Sequence, residues 1–407
     1  MNRMRAGRLF PLIVLSVNLT AGAVRAQAEP PVRLSEVIVT PSRFGISDAV
    51  GAPAATLTSQ ELAARPQVGE DLFRVIARLP GLAADDFTAR FWVRGAPNGQ
   101  VAVRLDGFDL VEPFHLKDVE GALSIVDLPT VRRLDLYTGG FTADFGDRQA
   151  GVLVMETATA PTGPERNSVG VSATSLRLSH AGRSPDGRAE WRLTARRGYP
   201  DLALRLRGRE DDLFPRYHDL AAKAEWALAP GQRLSVHALH ALDTLRYQET
   251  GEPALNSRYR SDSVWIRWRG EWSSGLVGET VLGSSHLGWR RQGDGFFDQR
   301  LRLLLDDDRG LTLGTLRSDW SRPLSERVFL RAGASLQRGK SDYTYALLRE
   351  ETVIRGAALV TERRTEDARL ARSGTGAALF VSPRVALAPD WIAEVGLRAE
   401  SAPARPG

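Results

Sequence analysis

From about Ser168 onward the chain repeats one pattern, an apolar side chain at every second position with charged or small polar side chains between. Ala189, Trp191, Leu193 and Ala195 alternate with Glu190, Arg192, Thr194 and Arg196. Ala222, Ala224, Trp226 and Leu228 sit opposite Lys223 and Glu225, and Val264, Ile266, Trp268 and Trp272 sit opposite Arg267, Arg269 and Glu271. Val328, Leu330, Ala332, Ala334 and Leu336 alternate with Arg331, Ser335 and Gln337, and Trp391, Ala393, Val395, Leu397 and Ala399 with Glu394, Arg398 and Glu400. A period of two places successive side chains on opposite faces of a strand. The polar face is rich in arginine and glutamate, as the wall of a wet lumen is, and tryptophans recur near strand ends as interface anchors. Each run has about the length that a tilted strand needs to cross an outer membrane. Nothing downstream of the N-terminus reads as a spanning helix, and in lipid only helices and closed barrels satisfy their backbone. The pattern therefore predicts an antiparallel transmembrane β-barrel.

Export is predicted by the first 28 residues. Arg3, Arg5 and Arg8 precede an apolar core from Leu9 to Leu19, and Val24-Arg25-Ala26 and Ala26-Gln27-Ala28 offer small residues for cleavage after Ala26 or Ala28. The apolar run is too short for a membrane anchor. Of the formal net charge of +5, Arg3, Arg5, Arg8 and Arg25 carry all but about one unit. The basic balance thus belongs to a discarded segment and gives no support for nucleic-acid binding. The chain has no cysteine, which excludes disulfides and thiolate metal sites.

Between leader and barrel, Phe91 to Glu156 holds short β-prone runs separated by Gly-Asp turns. Phe91-Trp92-Val93-Arg94-Gly95 is followed by Val101-Ala102-Val103-Arg104-Leu105-Asp106-Gly107, whose last pair signals a tight turn. Val131-Arg132-Arg133-Leu134-Asp135-Leu136 comes next. Then follow Gly139-Gly140-Phe141-Thr142-Ala143-Asp144-Phe145-Gly146-Asp147-Arg148 and Gly151-Val152-Leu153-Val154. The glycines Gly95, Gly107, Gly140, Gly146 and Gly151 are read as turn residues. This is a compact, mainly β module. Ahead of it, Thr58-Ser59-Gln60-Glu61-Leu62 marks a helix start, and Leu72, Val75, Ile76 and Leu79 between Glu70 and Leu79 mark an apolar helical stripe that Pro80-Gly81 stops.

In that order, these segments resemble the plug domain of TonB-dependent outer-membrane receptors. Arg94-Gly95, the strand ending in Leu105-Asp106-Gly107, the Val131–Leu136 strand with Arg133, and the Gly139–Val154 turn and strand carry the likeness. The family's usual Arg-Gly-Pro after the third of these is replaced by Tyr137-Thr138-Gly139-Gly140, as in a subgroup with a Gly-Gly-Phe-x-Ala-x-aromatic-Gly-Asp-Arg turn. Arg196-Arg197-Gly198-Tyr199-Pro200-Asp201-Leu202 and Pro215-Arg216-Tyr217-His218-Asp219-Leu220 are similar to early barrel segments of the same subgroup. Leu34-Ser35-Glu36-Val37-Ile38-Val39-Thr40, flanked by Pro30, Pro31 and Pro41, resembles the family's TonB box, a strand lent to the energy-coupling protein of the inner membrane; by its residues alone it also suits a first strand of the plug sheet.

The resemblance implies a signal peptide at 1–28, a periplasmic segment at 29–48, a plug at 49–160, a linker at 161–167 around Pro161-Thr162-Gly163-Pro164, and barrel from 168 to 407. It implies an importer of a scarce solute (siderophore-like, vitamin, saccharide or peptide), with no cofactor, whose partners are outer-membrane lipid and a TonB-type protein. It implies too that Arg94 and Arg148 pair with barrel glutamates, although an internal plug salt bridge serves either arginine equally well. At roughly 20 residues per strand and turn, the barrel part accommodates about eleven or twelve strands. Plugged transporters have about 22, and Ser401–Gly407 ends without an aromatic, so a truncated barrel and a fragment are expected.

Catalytic and metal signatures are missing from the sequence, including nucleophile-elbow, zinc-protease and phosphate-loop patterns, and no enzyme is expected. His237 and His240 fall on opposite faces of a strand. Asp306-Asp307-Asp308-Arg309-Gly310 lacks calcium-loop spacing and reads as a hairpin turn. His115, after Glu112-Pro113-Phe114, reads as an ordinary polar loop residue, with ligand contact as the other possibility. A non-transporting adhesin or scaffold with a degenerate plug, and a secreted β-rich binding protein or enzyme, are the competing readings.

Overall fold

The computed structural model describes residues 53–401, apart from 66–69, 85–87, 140, 147–149, 159–166, 173, 203–212, 248–253, 299–300, 357 and 389–390. The leader, Leu34–Thr40, Gly140, Asp147, Arg148 and the Pro161–Pro164 linker lie outside the described residues.

The N-terminal module runs β1 (Ala55–Thr58), α1 (Ser59–Ala64), α2 (Leu72–Ile76), β2 (Leu82–Ala84), β3 (Phe91–Val93), β4 (Val101–Leu105), β5 (Phe108–Leu110), β6 (Phe114–His115), β7 (Leu123–Ser124), β8 (Val131–Tyr137) and β9 (Gly151–Thr157). Its main sheet has the order β1-β8-β9-β4-β5, with β4 and β9 parallel. Helix α1 starts at a capping box: Thr58 accepts from the Glu61 amide, and the Glu61 carboxylate accepts from the Thr58 amide at 2.8 Å. The expected stripe over Glu70–Leu79 forms only five helical residues, Leu72–Ile76. Glu70 takes φ +54° and Gly81 φ +83°, and neither conformation continues a right-handed helix. All that α2 offers the core is buried, and Phe73 packs at 5.7 Å from Phe91 and 5.2 Å from Phe114.

The tight turn marked at Asp106-Gly107 is present, as is a turn at Gly95. Asp106 and Gly107 take φ +43° and +83° between the paired residues Leu105 and Phe108, the two left-handed residues of a two-residue hairpin. Arg94 and Gly95 repeat this with φ +49° and +83°, closed by the Val93–Ala96 bridge.

The rest is one antiparallel sheet of β10 (Asn167–Val171), β11 (Ser175–Arg183), β12 (Ala189–Gly198), β13 (Leu213–Ala229), β14 (Gln232–Tyr247), β15 (Ala254–Glu271), β16 (Val277–Asp298), β17 (Leu301–Ser325), β18 (Val328–Arg355), β19 (Ala358–Ala388), β20 (Trp391–Glu394) and β21 (Leu397–Ser401). These twelve strands pair in chain order, except that β20 and β21 both pair with β19. The last alternating run is thus broken at Val395-Gly396, where a register shift at Ala386–Ala388 accompanies the interruption.

The faces follow the alternation. Leu193, Leu220, Val264 and Leu282 are exposed, while Arg196, Asp219, His237 and Ser285 are buried. An apolar exterior around a polar interior is the inverse of a soluble sandwich, and it is what lipid outside and a filled lumen inside require. His237 is buried and His240, on the other face, pairs outside with Asp262.

Two expectations fail. Asp306–Gly310 makes no turn: β17 runs straight through it, and Asp307 is buried between Arg291 and Arg309. Charges forbid continuation of a strand only when unpaired, and here the neighbouring strand supplies the partner. The strands also outgrow a membrane crossing, reaching 31 residues in β19. Beyond the apolar band, the β18–β19 pair continues as a hairpin whose ladder satisfies its own backbone while charged pairs such as Arg355–Glu362 face water.

Candidate functional site

The module sits against the inner face of the sheet, and its contacts there are mostly ionic. Two hubs and a smaller clamp make them. The first hub is the Asp106–Gly107 turn. Asp106 is buried and accepts from the Thr157 amide at 3.1 Å and hydroxyl at 2.6 Å. From the wall, Lys223 Nζ and His237 Nδ1 approach it to 3.5 Å, and the Trp265 indole donates to its backbone carbonyl at 3.3 Å. Burial alone would raise the Asp106 carboxyl, but the Lys223 ammonium, His237 and the Thr157 donors outweigh it and hold the group below its usual range. Phe108 stacks on Trp265 at 5.1 Å, which in turn stacks on His237 at 4.7 Å. The turn approaches the wall so closely that a Cβ on Gly107 would lie 3.0 Å from the Glu279 carboxylate. Arg267 spans Glu279 at 2.6 Å and the module's Glu156 at 3.6 Å, and Arg317 spans Glu279 at 3.2 Å and the module's Asp109 at 4.0 Å.

The second hub is His115, fully buried. Its Nε2 lies 2.7 Å from Asp219 and its Nδ1 2.5 Å from Asp243, both on the wall. A carboxylate cannot donate, so two carboxylates on the two ring nitrogens require an imidazolium with both nitrogens protonated. Burial works against that charge, yet Asp243 and Asp219 prevail and push the imidazole up to about 9. The Leu116 amide adds a 2.7 Å bond to Asp243, with Leu116 itself at φ +56°. Asp219 also holds Arg196 at 2.6 Å, whose guanidinium donates to the Ser124 carbonyl at 2.7 Å. Next to it Arg177 grips the module's Asp127 with two bonds, at 2.5 and 2.7 Å.

The clamp holds the closing turn. Arg331 binds Asp144 at 3.0 Å, and Arg398 donates to the Ala143 carbonyl at 3.2 Å. The backbone at Gly146 approaches the Arg398 guanidinium closely, and a side chain there would make that guanidinium shift. Phe145 packs under Arg104, 5.1 Å from ring centre to guanidinium.

Among the described residues the polarity is mainly opposite to that implied for Arg94, and Arg148 lies outside them. Acids of the module (Glu70, Asp106, Asp109, Asp127, Asp144, Glu156) meet cations of the wall, with His115 the opposite case. Arg94 is exposed, lies beside Gly139, and makes no ion pair among the described residues. Arg133 stays within the module, bonded to Asp135 at 2.9 Å, and Gly151 packs its backbone against Val93. His115, read as an ordinary loop residue, is a hub. One usable sign of it stands in the sequence, the aspartates Asp219 and Asp243 on the inward face of alternating strands, where a buried carboxylate needs a cation. Among the described residues no group of histidine or acidic side chains suits a metal ion.

Comparison with known proteins agrees with this geometry. Residues 48–153 match the family described as TonB-dependent Receptor Plug Domain. No curated protein sequence matches the chain. Among solved structures, a mutant of the ferric enterobactin receptor of Pseudomonas aeruginosa is similar with a TM-score of 0.60 at 17% identity, over 86% of this chain and 57% of that one. The outer membrane transporter YddB of Escherichia coli gives 0.61 at 11%, over 88% and 58%. The ferric preacinetobactin receptor of Acinetobacter baumannii gives 0.59 at 13%, over 88% and 60%. The chain thus spans less than two thirds of the length of these proteins. At such identities the likeness is one of fold.

Proposed function

We propose that this chain, a TonB-dependent receptor by its plug domain and its fold, imports a scarce solute across a bacterial outer membrane by movement of the plug. The observation that carries the reading is the polar attachment of an apolar-cored plug to the lumen wall. Ion pairs and hydrogen bonds can be exchanged for water one by one, whereas a continuous apolar interface would have to be exposed all at once. On this reading residues 1–28 direct export, residues 29–48 reach the periplasm, and Leu34–Thr40 pairs as an added strand with the energy-coupling protein, which then pulls on the plug. Arg94, exposed on a turn of the plug, is available to act in that movement. No covalent step is required, so the proposed role is transport without catalysis. The names of the similar structures favour a ferric siderophore as the solute.

Cells carrying the gene with Leu34–Thr40 deleted, assayed for uptake of labelled ferric siderophores under iron limitation, test the proposal. Uptake lost on deletion, with unchanged protein in the outer membrane, is the expected result. Energised uptake that survives the deletion would sink the reading. A cysteine at Val37 that cross-links to the energy coupler gives the same answer by contact.

A further inference from the structure

The outer face of the sheet carries a basic pocket that plug movement does not use. Arg216, Thr244, Arg258 and Arg290 are mutual cross-strand partners on β13, β14, β15 and β16, and Arg246, Asn256 and Gln292 form the row beside them. These side chains share a face with the exposed Leu220, Val264 and Leu282, so they point away from the lumen. They line a cavity of about 570 Å³. Arg258 and Arg290 stand directly opposite one another, and like charges in that arrangement repel. Neither makes an ion pair among the described residues. Nearby acids are Asp201, bonded to Arg216 at 2.9 Å, Asp308, the cross-strand partner of Arg290, and Asp306, bonded to Gln292 at 3.3 Å. Among the described residues, Arg258 and Arg290 thus face one another without a carboxylate between them.

Its height is fixed by the tryptophans. Trp226, Trp268, Trp272 and Trp320 gather near the tight turns at one end of the sheet, with Trp268, Trp272 and Trp320 centred 5.7–5.9 Å apart. Such a cluster marks one membrane interface, and short turns mark the periplasmic side. The row through Trp226 and Trp268 lies ten residues from the arginine row on each of these four strands. At about 3.3 Å per residue and a tilt near 40°, this is about 25 Å along the membrane normal, the height of the apolar band. The arginines are thus at the opposite interface, on the outer leaflet.

We infer that this pocket binds a phosphate-bearing lipid headgroup of the outer leaflet, with Arg258 and Arg290 sharing one phosphate and Arg216 and Arg246 flanking it. Guanidinium groups match phosphate oxygens with paired, charge-assisted bonds. The inference rests on the membrane reading proposed above, which carbonate extraction of membranes tests separately: release of the chain as a soluble protein would remove that premise.

The test itself uses the full chain in neutral detergent, titrated with diphosphorylated lipid A, with its dephosphorylated form, and with inorganic phosphate. Tight binding of the diphosphorylated lipid alone is expected. Arg258→Gln with Arg290→Gln should weaken it by about tenfold per arginine. Arg258→Lys should retain part of it, and Arg349→Gln, on the exposed β18–β19 hairpin, should not change it. Equal affinity for inorganic phosphate would assign the pocket to a soluble anion and overturn the lipid source. Lipid binding unchanged in the folded double variant would overturn the site.

Discussion

The plug is held together and held in place by two different chemistries. Its interior is apolar and dry, with Phe73, Phe91, Phe114, Leu134 and Leu153 essentially inaccessible. Its contact with the wall is a set of buried charges, Asp106 with Lys223, His115 with Asp219 and Asp243, and Asp127 with Arg177. Burial of apolar area is non-directional and cumulative, so it favours a body that keeps its shape. Buried ion pairs contribute little net stability but fix register, and removal of one partner is costly. A body of the first kind docked by contacts of the second can come away without unfolding.

Breaking the interior should have the largest effect. Phe73→Ala removes a ring packed against two others, at a cost of about 4 kcal/mol. Chemical denaturation should show the plug's transition shifted while the barrel's stays. Breaking the attachment should look different. His115→Gln leaves Asp219 and Asp243 with less countercharge, at a cost of about 3 kcal/mol. Limited proteolysis should then find the plug released from the wall yet still folded. If both variants unfold the plug alike, the distinction between the two regions is wrong.

Titration sharpens the same contrast without mutation. His115 is raised from an ordinary value near 6.5 to about 9. Its contribution is therefore complete below about pH 6.5 and is lost as pH rises through 9. Attachment followed by proteolytic access to the plug should weaken across that window in the parent protein and stay flat in His115→Gln. A smaller effect is expected at the turn. Gly107→Ala forces a side chain into φ +83° and towards Glu279, at a cost of about 1–2 kcal/mol, read as a modest loss of attachment. The smallest comes from Arg355→Gln, whose partner Glu362 is water-exposed. Thermal stability should change by less than about 0.5 kcal/mol.

Much of the fold was legible because its rules are local. Alternation set the barrel strands and their faces, Asp106-Gly107 and Arg94-Gly95 set two hairpin turns, and Thr58 with Glu61 set a helix start. Asp306–Gly310 misled for an equally clear reason. Consecutive charges resemble a turn in one dimension, and only the adjacent strand, bringing Arg291 to Asp307, makes them tolerable in a ladder. The helix at Leu72 was overestimated because side-chain spacing does not report the left-handed residues that bound it.

The site was less legible still. Asp106 was visible as a turn residue and not as the acceptor of Lys223, and His115 was visible as a loop residue and not as an imidazolium between two aspartates. In sequence, His115 stands 104 and 128 positions from those partners. The amino-acid sequence by itself determined which faces are apolar, where the Asp106-Gly107 turn falls, and that an apolar-faced sheet must keep its polar face turned inward. Only the tertiary structure decided which charge meets which, because an ion pair depends on a few ångströms of separation and on exclusion of water, and neither quantity exists until distant strands have come together.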